Sequence, residues 1–324
     1  MFRLLSKESN IFSIPVYIFF LFLLIISFNI LDFKTLGVFS SIITFCGFAL
    51  GYFLFNAIGL NYNTHLPLFL YTFFVFALYP GSLDIGIAMS LFTNSFVMVL
   101  LTSNQDEVRK NSYLIIGAIL AVNFLFLPTT WPMFIFVLIH LISTSDHISL
   151  NIFRLFFGNA LVFGTYFGVM YLIGYHDFDE NYIPYVEDSF MQDYYPLYFL
   201  LPVALYVLYA VMDHFANFNK KSPSSKFKYT FMLLFFFAQL VTVFLYMGKN
   251  YEYLLLLVLP NVIILSRALR FLKKYWMKEF GLWIIIFTLL LFKLVSYIHL
   301  RAHETKAKLV CSLLPEKKNI QQST

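Results

Sequence analysis

An apolar run that keeps returning is the strongest constraint on this chain. VYIFFLFLLIISF (16–28) is one instance, and comparable stretches recur from end to end. A helix crosses the hydrocarbon core of a bilayer with about 20 predominantly apolar residues. A transmembrane β-barrel instead needs strands of about ten residues that alternate apolar and polar, and these runs do not alternate. Only 12% of the 324 residues are charged, against about 25% in a soluble domain. The expected fold is an all-α, polytopic bundle of transmembrane helices.

Eleven spans are expected, at about 12–31, 37–58, 66–79, 84–102, 113–128, 131–146, 151–173, 196–216, 229–247, 252–266 and 280–299. Several fall short of an upright crossing and would be tilted, re-entrant or set in thinned bilayer. With the N-terminus inside, the inner segments hold thirteen Lys/Arg: Arg3, Lys7, Arg109, Lys110, four Lys in 220–228 and five Lys/Arg in 267–278. The short outer loops hold Lys34 and Lys249. That asymmetry obeys the positive-inside rule and predicts a cytoplasmic N-terminus in a bacterial inner membrane. An odd span count strands Arg301, Lys306, Lys308, Lys317 and Lys318 outside, so ten to twelve spans bracket the expectation. The N-terminal apolar run is too long for a signal-peptide core and no A-x-A site follows, so an uncleaved first helix is expected.

The organisation expected is one transmembrane domain (1–299), with an outer loop at 174–196 and an inner linker at 217–229, then a polar tail (300–324). Cys46 and Cys311 lie in a membrane run and in the tail, and neither suggests a disulfide framework. The net charge of +5 comes from short basic clusters between apolar runs, which orient a membrane protein rather than bind nucleic acid.

Polar groups near or inside lipid are costly and each invites a role. Asp32 (NILDFKT) is either an interfacial residue beside Lys34 or a catalytic base at the membrane surface. Asp84 (LYPGSLDIG) starts a helix, where a carboxylate favours the dipole; the alternative is a second outer acid. Asn94 and Asn123 are expected to hydrogen-bond between helices, or to line a polar cavity. Arg154 and Lys293 are expected to snorkel to the interface, and Lys293 is placed to face a phosphate. His65, His140 and the Asp213–His214 pair share no metal-ligand spacing.

GYHDFDENYIPYVEDSFMQDYYP (174–196) holds six of the seventeen acidic residues and no Lys or Arg. Counted from Asp177 it imitates a calcium loop. Tyr182 occupies the position that needs Gly for the turn, and Asp188 stands where Glu is usual. A looser divalent site on Asp177 and Asp179 is the alternative, and no other metal or cofactor is expected. His176 beside Asp177 suits acid–base work near neutral pH. Tyr182 and Tyr185 suit either the lipid interface or a sugar face, and Lys249 suits a phosphate. The chain has no P-loop, dinucleotide fingerprint, zinc-protease helix or G-x-S-x-G.

The order NYNTHLPLFLYTFFVFALYP, a polar-studded span, the inner loop SNQDEVRK, then NSYLIIGAILAVNFLFLPTTWPMFIFVLIHLI resembles an uncharacterised multi-pass family of Bacteroidetes, mostly flavobacteria. The central block is also distantly similar to the GT-C glycosyltransferases, multi-pass enzymes that take sugar from a polyprenyl-phosphate donor at the outer face. Tyr79 to Asp84, Ser90 to Ser95, Gln105 to Lys110, and Gly117 onward carry that likeness. It implies catalytic roles for Asp32 and Asp84. The departure is the first outer loop, DFKTL, which is short where GT-C enzymes carry a long one. The two functional expectations are a GT-C-like transferase and a non-enzymatic membrane scaffold or assembly subunit whose partners are other membrane proteins. A transporter comes third. They separate on whether the outer acids meet at one cavity that opens to lipid.

Overall fold

The computed structural model describes residues 1–10, 12–29, 35–58, 64–81, 83–102, 112–175, 196–218, 222–248 and 250–297. Among them every long element is a helix, and the only strand-like feature is an isolated bridge between Glu8 and Thr64. In chain order the helices are α1 Phe2–Leu5, α2 Ser13–Asn29, α3 Thr35–Ile58, α4 His65–Leu78, α5 Ile85–Leu101 and α6 Tyr113–Phe126. Then come α7 Trp131–Thr144, α8 Ile148–Ile173, α9 Leu201–Ala216, α10 Pro223–Tyr246, α11 Val258–Phe271 and α12 Tyr275–Tyr297. Short 3-10 segments lead into α7, α9 and α11.

Each expected apolar run is helical, because only a helix satisfies every backbone N–H and C=O within one segment in lipid. Among the described residues six helices are long and apolar enough to cross a membrane, and five apolar helices, among them α2, α4 and α5, are shorter. Two helices begin five or more residues before the expected span. α10 begins at Pro223, inside the stretch read as a linker, because Pro at the first helical position costs no hydrogen bond. α12 begins at Tyr275, before the apolar run, and its first turns carry the half-buried Lys278 and Glu279.

The helices alternate direction, and the described Lys and Arg collect mostly at one end, together with Glu8, Asp146, Asp213 and Glu279. Arg3, Lys7, Lys226, Lys228, Arg267, Arg270, Lys273, Lys274 and Lys278 lie at one end, which we call the basic end. There the N-terminal ammonium pairs with Glu279 Oε1 at 2.7 Å, and the Lys7 carbonyl accepts from His65 N–H. Asp84 and Glu252 lie at the other, the acidic end.

Packing inside lipid gains little from hydrophobicity, since acyl chains are as apolar as leucine; close backbone contact takes over. Gly117 of α6 and Gly158 of α8 face each other's helix. A Cβ on Gly117 would lie 2.1 Å from the Leu155 carbonyl oxygen, and one on Gly158 would lie 2.1 Å from that of Leu114. Gly47 seats α3 on the backbone of Phe92 in α5 in the same way, with only 2.8 Å to spare for a Cβ. Tyr71 fills the centre of the α3–α4 contact, edge-on to Tyr52 at 4.9 Å and to Phe55 at 5.4 Å.

Candidate functional site

The acidic end is built by chain breaks that bring polar groups together. α4 stops at Tyr79 because the next residue is Pro80, which holds Tyr79 extended. Gly81 then takes φ +127°, a conformation open to glycine and rarely to other residues. The turn delivers Asp84 to the N-cap of α5, where its Oδ2 accepts from Gly86 N–H at 3.2 Å. The Asp84 backbone N–H donates in turn to Glu252 Oε2 at 3.1 Å. Glu252 is set by the 3-10 turn before α11: its own N–H donates to Asn250 Oδ1 at 3.2 Å.

Lys293 enters from the last turns of α12. Its ammonium donates to the Tyr79 carbonyl and lies 4.4 Å from the centre of the Phe28 ring. Asn29, at the end of α2, donates to the Tyr79 hydroxyl at 2.7 Å. A cleft of about 130 Å³ results, lined by Glu252, Lys293, Asn250, Pro80, Ser296 and Tyr297 among others. A carboxylate and an ammonium thus share one cleft at the end of an apolar bundle, and the carboxylate is held by the Asp84 backbone N–H.

A larger hollow opens at the same end. It is an apolar groove of about 590 Å³ between α6, α7 and α8, and its rim residues Ile135 and Phe156 are exposed. Asn123 lines it and is 1% exposed, and its Oδ1 has no hydrogen-bond partner among the described residues. Thr130 and Trp131 close one side; Trp131 Nε1 donates to Tyr246 Oη at 2.8 Å. Two contacts link the segments that flank the groove to those that flank the cleft. The Thr129 and Tyr253 hydroxyls lie 3.3 Å apart, next to Glu252, and a Cβ on Gly86 would lie 2.7 Å from the Phe126 carbonyl oxygen.

Of the expected site residues, Asp84 is at the acidic end, and its carboxylate serves as a helix cap. Asp32, His176, Asp177, Asp179, Tyr182, Tyr185 and Lys249 lie outside the described residues. Lys293 is half-buried and turned onto a backbone carbonyl at the acidic end. Asn94, expected to bond between helices, instead donates to Ser90 Oγ of its own helix at 3.2 Å, because four residues along a helix place the two side chains on one face. Arg154 donates to Asn151 Oδ1, also on its own helix, at 3.3 Å. His140 and His214 pack among aromatic rings, 4.6 Å from Phe231 and 4.2 Å from Tyr229.

Glu252 escaped the sequence reading. Its signal was present: an isolated acid that follows Gly248 and Asn250 at the mouth of an apolar run. Asn250 is a good cap, and a cap marks a chain entry where an acid is tolerated.

A model of a family of unknown function (DUF6427) matches residues 1–300, and the chain belongs to that family. No curated protein and no solved structure matches it.

Proposed function

We propose that this family member is an inner-membrane protein of about eleven spans, N-terminus in the cytoplasm, that acts on a polyprenyl-phosphate sugar at its acidic, outer end. The orientation rests on the basic end, which the positive-inside rule assigns to the cytoplasm. The observation that carries the activity is that Glu252 and Lys293 line one cleft, at the same end of the bundle as an apolar groove with exposed rim residues. The groove suits an isoprenoid chain, and the ammonium suits the phosphate that follows it.

In this reading Glu252 is the base, because Asp84 already caps α5. The acceptor hydroxyl gives its proton to Glu252 while its oxygen bonds to the sugar C1. The bond from C1 to the phosphate oxygen breaks, and polyprenyl phosphate leaves with its new charge beside Lys293. Asp32, to which the GT-C likeness gives the catalytic role, is the competing base. The transferase is tested with full-length protein in liposomes that contain labelled polyprenyl-phosphate hexose, with water and a total membrane-lipid extract supplying the acceptor hydroxyls. Glu252→Gln is expected to lower sugar release by about 10²–10⁴-fold, the usual weight of general-base catalysis. Asp84→Asn keeps a good cap and is expected to change little. Asp32→Asn serves as the control, and a loss confined to it would transfer the role. No release by the unaltered protein would sink the reading.

One observation favours the scaffold instead. Only 6% of the apolar stretch of α8 is buried, so most of that helix is available to another membrane protein as readily as to lipid. A scaffold of this kind would form a complex of fixed size through α8 and release no sugar.

A further inference from the structure

The apolar groove between α6, α7 and α8 carries one polar group that its own chain leaves unanswered. Asn123 lines the groove, is 1% exposed, and its Oδ1 has no hydrogen-bond partner among the described residues. Buried polar atoms are nearly always paired, because an unpaired one gives up its hydration for nothing. The neighbouring donors are engaged elsewhere. Thr130 Oγ1 donates to the Leu127 carbonyl at 2.7 Å, Trp131 Nε1 to Tyr246 Oη at 2.8 Å, and Asn159 Nδ2 to the Leu155 carbonyl at 2.9 Å. Water is a poor substitute, since a buried water needs about three hydrogen bonds and most of the lining is apolar.

The shape and chemistry of the groove restrict what could bring the missing donor. Its volume of about 590 Å³, its apolar walls and its few fixed polar groups are those of a small-ligand site. Ile135 and Phe156 at the rim are exposed, so in a bilayer the groove is entered from lipid. Its walls are set in advance: the backbone contact at Gly117 and Gly158 holds α6 on α8, and Phe124 stands edge-on to Phe163 with ring centres 6.0 Å apart. No residue that lines it is charged, so a phosphate or carboxylate would be buried there without a counter-ion. A plain hydrocarbon chain suits the walls but leaves Asn123 unpaired. An uncharged chain that carries a hydroxyl answers both.

We infer that the groove is a binding site for an uncharged lipid alcohol, whose hydroxyl donates to Asn123 Oδ1 and whose chain lies along Phe134, Phe156 and Phe163. The site rests on the groove alone and holds whether or not the cleft transfers sugar. On a transferase the alcohol would compete with the isoprenoid chain for the same walls.

The test uses the full chain in nanodiscs of phosphatidylcholine, a lipid without a hydrogen-bond donor, doped with 1-dodecanol or with its methyl ether. The ether keeps the chain and the oxygen and lacks the donor. Retained probe is read by native mass spectrometry, and thermal stability is followed in parallel. The parent is expected to retain dodecanol about tenfold more strongly than the ether, the weight of one hydrogen bond to a buried acceptor. Asn123→Leu keeps the size of the side chain and deletes an unpaired polar group, so it is expected to fold at least as stably and to hold the two probes equally. Ala160→Phe puts a ring into the groove and is expected to weaken both probes alike. Equal retention of the two probes by the parent, a preference for dodecanol that survives in Asn123→Leu, or retention that Ala160→Phe leaves intact would overturn the inference. Retention of neither probe would overturn it as well; a second membrane protein that co-purifies with the parent and is released by Ala160→Phe would then assign the groove to a partner helix.

Discussion

α11 with its 3-10 lead-in and α8 are both apolar enough to cross a membrane, yet 78% of the first is buried and 6% of the second. The difference shows what hydropathy measures in such a chain. It reports the preference of a helix for lipid over water, which both share. Position within the bundle is decided by which helix fits against others, because lipid and protein interior are equally apolar. α11 is enclosed: Val262, Ile263, Ile264 and Leu265 are all fully buried, a continuous run that leaves no face for lipid. α8 buries a single stripe, Asn151, Leu155 and Gly158, spaced as one helical face.

The sharpest way to break the comparison is to truncate one aliphatic side chain on each helix. Ile264→Ala removes methylenes from a site closed on all sides. The unfolded reference still lies in lipid, so the transfer contribution is small and the cavity left behind dominates. A loss of roughly 2 kcal/mol is expected, the lower end for aliphatic truncation in a core. Unfolding by SDS titration in mixed micelles reads it. A loss no larger than that of a lipid-facing truncation would mean that α11 is not enclosed.

The next effect lies on the stripe that ties α8 to the bundle. Gly158→Ala or Gly117→Ala places a methyl 2.1 Å from a carbonyl oxygen of the opposing helix. Backbone, unlike a flexible side chain, cannot step aside, so the helices must separate. Overpacking of this kind costs about 1–3 kcal/mol. Hydrogen exchange should show α6 and α8 loosening while α11 keeps its protection. Uniform loosening would mean that α8 folds as one unit with the central helices.

These two glycines also show how far the sequence carries. That the apolar runs are helices follows from their length and from the need to satisfy the backbone in lipid. Gly117 stood out only as the start of a stretch that carries the GT-C likeness, and Gly158 not at all; that they face each other depends on two helices meeting in space, which a single run cannot specify. The site divides along the same line. Asp84 was legible as a cap, because Pro80, Gly81 and the following apolar run are local. Its link to Glu252 joins residues 168 positions apart and required the fold. A cavity at the basic end is lined from three helices; in the sequence its Arg267 and Lys273 appear only as inner-side basic residues that orient the protein, and its Asp213 and His214 only as a pair without metal-ligand spacing.

A smaller effect tests the join between the groove and the centre. Trp131 Nε1 reaches the Tyr246 hydroxyl at 2.8 Å from the first turn of α7. Trp131→Phe keeps a ring and removes the donor. The bond is partly open to its surroundings, so a loss of about 1 kcal/mol is expected, the net value of an ordinary hydrogen bond. Tyr246→Phe should cost the same, and the double variant no more than either alone. Additive losses would show that the two groups act separately.

The smallest effect is the most discriminating. Leu161 lies midway along α8 and is 47% exposed. Its truncation to alanine exchanges contacts with acyl chains for other contacts with acyl chains, so unfolding of the isolated protein in micelles should shift by less than about 0.5 kcal/mol, as at surface sites. The same change measured in native membranes separates the two functional readings. On a transferase whose α8 faces lipid, Leu161→Ala is silent in both settings. On a scaffold, that face packs against a partner and the truncation leaves a cavity in the interface. The complex then shortens its lifetime while the isolated chain is unaffected. A loss in micelles as large as that of Ile264→Ala would contradict both, because it would require α8 to be covered within its own chain.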